Sequence, residues 1–412
     1  VVDSESVPRA SVSGTSSTGT DDARNERRLL WRAAVVLAAA MGIGRFVYTP
    51  ILPMMEQQAG LSAVSGAQIA TANYLGYIAG AVLLSVLPSL ATSRVVARGS
   101  LALLVATLAS MPLVTTAPAW MALRFLAGVA SAVIFIVAAQ ALLRTLRRNP
   151  HLSGWSYGGV GLGIALSGTV VLVAGPATSW PVFWYLSAVL ALLLGAPVWT
   201  LIDRAADPRE AASGTGGAGP GPRRAFQLLL AGYFLEGVGY IIAATFLVAA
   251  LAGSGLTWLG NGAWVLVGVA AIPSCVLWSY WSRRVSRPTL LVMALLVQAA
   301  AVALPGVTEN AAMVVVSAVL FGGTFMGITT LALAAGAELN VPRSAAALTT
   351  AYGLGQVLGP LIVQPTLDHG YQPALLIGGA ILVAGAVVVL LLRTFSWPGA
   401  PVPTRRVSSR AR

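Results

Sequence analysis

The sequence predicts an all-α membrane protein with twelve transmembrane helices in two pseudo-symmetric six-helix halves. Three observations lead there. Of the 412 residues, 57% are hydrophobic and only 9% charged, against about a quarter charged in a soluble domain. About twelve apolar runs approach the ~20 residues a helix needs to cross the hydrocarbon core. Arginine supplies all 25 basic residues, and it falls on alternate connections between those runs.

Residues 1–28 are polar and rich in Ser, Thr, Asp and Arg, the composition of a disordered tail. No short apolar core follows an early basic stretch, so they do not read as a signal peptide. The first half, 29–202, holds runs at 29–53, 67–87, 95–114, 118–142, 154–173 and 180–201. Residues 203–224 form a linker in which Gly214 to Pro222 has a flexible composition. The second half, 225–394, holds runs at 225–251, 256–281, 288–304, 311–335, 345–364 and 373–392, and 395–412 form a second tail.

Arg24, Arg27, Arg28 and Arg32 open the first run. Further arginines follow runs two (Arg94, Arg98), four (Arg144, Arg147, Arg148), six (Arg204 to Arg224), eight (Arg283, Arg284, Arg287), ten (Arg343) and twelve (from Arg393). The other connections carry none; they hold Glu56, Glu309 and Asp368. By the positive-inside rule both termini are cytoplasmic and the number of spans is even. The net charge of +12 is thereby explained without nucleic acid. Cys275 is the single cysteine, so no internal disulfide forms. With only His151 and His369 beside it, soft ligands are too few for a structural zinc. No metal or cofactor is expected.

The halves repeat. Gly42-Ile43-Gly44-Arg45 follows Arg28 by fourteen residues, and Gly237-Val238-Gly239-Tyr240 follows Arg224 by thirteen. Gly161-Leu162-Gly163-Ile164-Ala165-Leu166 matches Gly353-Leu354-Gly355-Gln356-Val357-Leu358. Two such halves around a midplane site are a transporter plan.

At these residues the chain resembles the major facilitator superfamily. Arg124-Phe125-Leu126-Ala127-Gly128 is similar to its fourth-helix motif, with Ala127 where glutamine is usual. More narrowly it resembles the YbfB/YjiJ family. The segments that carry this are Gly42 to Pro50, Arg124 to Gly128, Ser153-Gly154-Trp155, Gly159 to Gly168, Phe234 to Gly237, Phe321 to Gly327 and Tyr352 to Gln356. The resemblance covers roughly residues 29 to 394. It implies the major facilitator fold and a multi-pass protein of the bacterial inner membrane. It also implies a central cavity bordered by spans one, four, seven and ten.

Three charges lie well inside spans: Arg45, Arg124 and Glu236. Intramembrane charges mark pathways, but each can also be a structural ion pair or a cap on broken backbone, and a shallow Arg124 can snorkel. The stretch from Met41 to Pro53 holds two glycines and two prolines, which demand that its freed backbone face protein or a watery cavity. Arg45, Arg124, Tyr240, Tyr48 and Gln356 are expected to bind substrate, and Glu236 to couple a proton. The repeat places Glu236 about one helical turn, ~6 Å, deeper than Arg45 on the facing half, within reach of it. The glycines of spans five and eleven are expected to pack helices rather than bind.

The expected function is secondary active transport of a small organic solute, anionic and proton-coupled, by alternating access. One alternative is an exporter of apolar or cationic compounds with structural arginines; another is a non-transporting membrane sensor. An enzyme would need clustered carboxylates, histidines or a nucleophile with its base. The spans hold no such cluster, so no enzymatic activity is expected. The partners expected are the solute and the lipid bilayer, for a protein acting as a monomer.

Overall fold

A helix crossing a bilayer satisfies its own backbone, so a break in one must find partners elsewhere in the protein. The first span contains such a break, and the bundle packs around it. The computed structural model describes residues 17–145, 153–201, 220–252, 257–308, 310–341 and 343–395. The expected tails at 1–16 and 396–412, the linker residues 203–219, and His151, Arg147, Arg148 and Glu309 lie outside the described residues.

Among the described residues there is helix and no strand. Twelve helices among the described residues are long and apolar enough to cross a membrane. In the first half they are Glu26–Ala59, Ala63–Val86, Arg94–Leu113, Ala117–Leu142, Trp155–Ala174 and Trp180–Leu201. In the second they are Gly221–Ala252, Leu259–Trp281, Arg287–Gly306, Ala311–Glu338, Ser344–His369 and Gln372–Thr394. These are spans one to twelve. At ~1.5 Å per residue even a 20-residue span covers the ~30 Å hydrocarbon core.

The helix of span one reaches back to Ser17, past the expected start at 29. Residues 20–37 contain neither glycine nor proline, so nothing stops the helix from running out into its polar, arginine-bearing end. At the same face, Arg287 at the start of span nine pairs with Glu338 at the end of span ten.

Within the first half, span two packs on four and span one on five; within the second, span seven packs on eleven and twelve. Spans five with eight, and two with eleven, join the halves. Span five serves both purposes because its glycines sit on two faces. A Cβ at Gly163 would lie 2.3 Å from the Ala38 carbonyl oxygen of span one, and one at Gly161 would lie 2.5 Å from the Gly268 carbonyl oxygen of span eight. Backbones this close admit no side chain, which is the packing use expected of small residues in membranes.

The break in span one follows from its sequence. Ala38–Ile43 is π-helix, in which Gly44 N–H reaches the Ala39 carbonyl at 2.8 Å. Residues 44–47 form a turn, and α-helix resumes at Tyr48–Ala59. Pro50 lacks the N–H that would meet the Phe46 carbonyl. Thr49 N–H turns to that carbonyl instead, at 3.3 Å, and is drawn away from the Arg45 carbonyl four residues before it.

Candidate functional site

Arg124 takes up the carbonyls that the break leaves open. It reaches over from span four and donates from Nη1 to the Gly44 carbonyl at 2.9 Å and from Nη2 to the Arg45 carbonyl at 2.8 Å. It is 1% exposed, and its guanidinium lies over the rings of Tyr48 and Trp184. A planar fork suits two adjacent carbonyls as a point charge does not. Arg124 is therefore the cap on the broken backbone, and it does not line the central cavity. Tyr48 also falls outside the lining of that cavity. On an unbroken helix Tyr48 would share a face with Arg45, three residues before it. The turn at 44–47 rotates it away, and its hydroxyl donates to the Gly66 carbonyl at 3.0 Å.

The central cavity lies between the halves and encloses about 100 Å³. The structure brings together Arg45, Tyr240 and Gln356 there. Arg45 Nη2 donates to Gln356 Oε1, and Gln356 Nε2 donates to the Tyr240 hydroxyl at 3.2 Å. The guanidinium of Arg45 sits 4.5, 5.0 and 5.5 Å from the ring centres of Tyr77, Tyr74 and Phe46. Among the described residues no carboxylate pairs with Arg45, and its Nε has no acceptor. Tyr240 stands in a rank of near-parallel rings with Tyr233, Tyr352 and Phe325.

The expected pairing of Glu236 with Arg45 is not formed. Glu236 lines a separate small pocket with Leu291, Leu295, Ala332 and Val389, on the side of span seven that faces spans nine, ten and twelve. It is fully buried and faces Gln298, yet neither carboxylate oxygen makes a hydrogen bond. The reason is that span seven is buried on nearly all sides, so a residue one turn from Tyr240 can belong to a different compartment. Asn73 donates to the Arg124 carbonyl at 2.8 Å and joins spans two and four.

Phe325, Thr329 and Leu333 of span ten line the cavity and are not among the binding residues expected from the sequence. Their spacing of four places them on one helical face, which is the signal that could have found them. Tyr233 of span seven is a further addition. It borders the cavity two turns before Tyr240, and its ring stacks 4.5 Å from that of Tyr352.

The cavity lies on the arginine-rich side of Arg45, where Met41, Leu333 and Thr349 line it. On the other side the halves are joined. Thr49 Oγ1 donates to the Ala244 carbonyl, the Tyr74 and Thr245 hydroxyls meet at 2.8 Å, and the Tyr371 hydroxyl donates to the Glu56 carboxylate. Tyr371 lies in the connection between spans eleven and twelve. Burial, with the Glu56 carboxylate beside it, pushes its hydroxyl well above the usual tyrosine range, so it remains a donor. A larger hollow of about 280 Å³ on that opposite side, lined by Pro53, Gln57 and Asn261, has no charged residue among its described lining.

A family model described as "Uncharacterised MFS-type transporter YbfB" matches residues 37–390. No curated protein matches the chain. Two crystal structures of the nucleoside transporter NupG are similar to it. One, of a point mutant, superposes with a TM-score of 0.71 at 13% identity, covering 88% of this chain and 99% of its own. The other superposes with a TM-score of 0.69 at 14% identity, covering 89% of this chain and 100% of its own. At such identity the likeness shows the fold alone.

Proposed function

The chain belongs to the MFS-type transporter family described as YbfB, and from that membership and the lining of its cavity we propose that it moves a small organic anion by alternating access, coupled to a proton. One observation carries the anion. Arg45 is 3% exposed at the junction of the halves and has no carboxylate partner among the described residues. A buried charge without a counter-charge costs several kcal/mol. The three rings around it offset part of that, about 0.5–2 kcal/mol each. An incoming carboxylate supplies the missing charge through charge-assisted hydrogen bonds. A cationic solute fits this lining less well, because Arg45 repels it.

Proton coupling we assign to Glu236, the one fully buried acid among the described residues. Its route to the anion is indirect. Tyr240 stands one turn along the same helix, and Tyr240, Gln356 and Arg45 are linked by hydrogen bonds. The arginine-rich connections support cytoplasmic termini in a bacterial inner membrane; the cavity then faces the cytoplasm in this conformation.

Flux in liposomes tests both parts. The wild type should concentrate a labelled organic anion when a pH gradient is imposed. Glu236→Gln should exchange labelled for unlabelled anion at a near-wild-type rate yet concentrate none. A Glu236→Gln protein that concentrates the anion as steeply as wild type removes Glu236 from the coupling. Absence of saturable anion flux in the wild type overturns the anion itself.

A further inference from the structure

We propose that the solute is a planar, single-ring monocarboxylate. This rests on the anion reading above and narrows it by three features of the cavity.

The first is charge. Arg45 is the one charged residue among the described lining, and Gln356 and the two threonines, Thr329 and Thr349, are neutral. One guanidinium can match one carboxylate; a dianion would bury a second charge with nothing to meet it. The second is size. About 100 Å³ is two thirds of the ~150 Å³ apolar cavity that holds benzene, so this conformation leaves room for no more than one ring. The third is the shape of the wall. Tyr233 and Tyr352 lie 4.5 Å apart at 9°, Tyr352 and Tyr240 5.4 Å at 10°, and Tyr240 and Phe325 5.8 Å at 5°. Such a rank favours a further flat ring in offset or edge contact over an aliphatic group of equal area. Arg45 stands at the side of the rank, held there through Gln356 and Tyr240. A ring against the wall can thus direct its carboxylate to the guanidinium.

Calorimetric titration of the full chain in detergent, with five probes, tests this. Benzoate has the ring and one charge, cyclohexanecarboxylate the size without planarity, acetate the charge without a ring, phthalate a second charge, and benzylamine the opposite charge. Benzoate should bind at least about tenfold more tightly than each of the others. Phe325→Leu should weaken benzoate by roughly fivefold and acetate by clearly less, since acetate has no ring to lose; equal losses for the two would remove the ring wall. Equal affinity for benzoate and cyclohexanecarboxylate, acetate or phthalate overturns the ring monocarboxylate while the anion reading stands. Binding of benzylamine alone, or of none of the five, overturns both.

Discussion

Arg45 and Arg124 are both buried cations inside spans, and they have opposite tasks. Arg124 satisfies two carbonyls that the break in span one leaves open. Arg124→Met strands both, at about 1–3 kcal/mol for each unsatisfied group, so the protein should melt markedly earlier in detergent. Arg45→Met removes an unpaired charge, so its melting temperature should stay level or rise while benzoate binding falls at least about a hundredfold. Arg45→Lys should fall between, since a point charge lacks the planar fork. Thermal denaturation with calorimetric titration separates the cases. An Arg124→Met protein as stable as wild type would remove the cap, and an early-melting Arg45→Met would make Arg45 structural. The sequence alone shows two intramembrane arginines and does not divide them. Their tasks depend on which carbonyls Pro50 and Thr49 leave free, and on the turn that carries Tyr48 away from Arg45.

Spans and their interruptions are legible in the sequence because apolar length, arginine placement and Gly/Pro positions are local features. The side from which each helix meets the cavity is not. Span seven is apolar on nearly every face, so no stripe distinguishes the cavity from the pocket that takes Glu236. Likewise the helix back to Ser17 lies in polar sequence that resembles a tail, although no glycine or proline interrupts residues 20–37. Glycines can be sorted only with the packing in view. Gly163→Val meets the Ala38 carbonyl oxygen at 2.3 Å, and overpacking of this kind costs about 1–3 kcal/mol. Gly323→Ala meets nothing within 4 Å and should be neutral or stabilising, by up to about 1 kcal/mol from helix propensity. Comparing the two melting temperatures checks the assignment, and equal losses would contradict it.

The two-half plan of the whole molecule is legible from the repeat; its conformation is not, because one sequence encodes every state of the cycle. The contacts that define this state join spans one and seven opposite the cavity, with a further join between spans two and seven. With Cys275 changed to Ser, the pair Thr49→Cys and Ala244→Cys should form a disulfide that stops flux, and reduction should restore it. Oxidised protein that transports at the reduced rate would show that these residues need not part. The Arg45–Gln356 bond has its own consequence at this scale, since its two residues come from different halves. The unloaded protein is its own competitor. Solute must displace an amide from the guanidinium, so a measured affinity is a difference between two ligands for one arginine. A carboxylate wins that contest because it brings the full opposite charge that a neutral amide lacks and can take both arms of the guanidinium fork. A carrier that can lend itself a stand-in ligand need not bare its charge while empty, and so is not confined to trading one solute molecule for another.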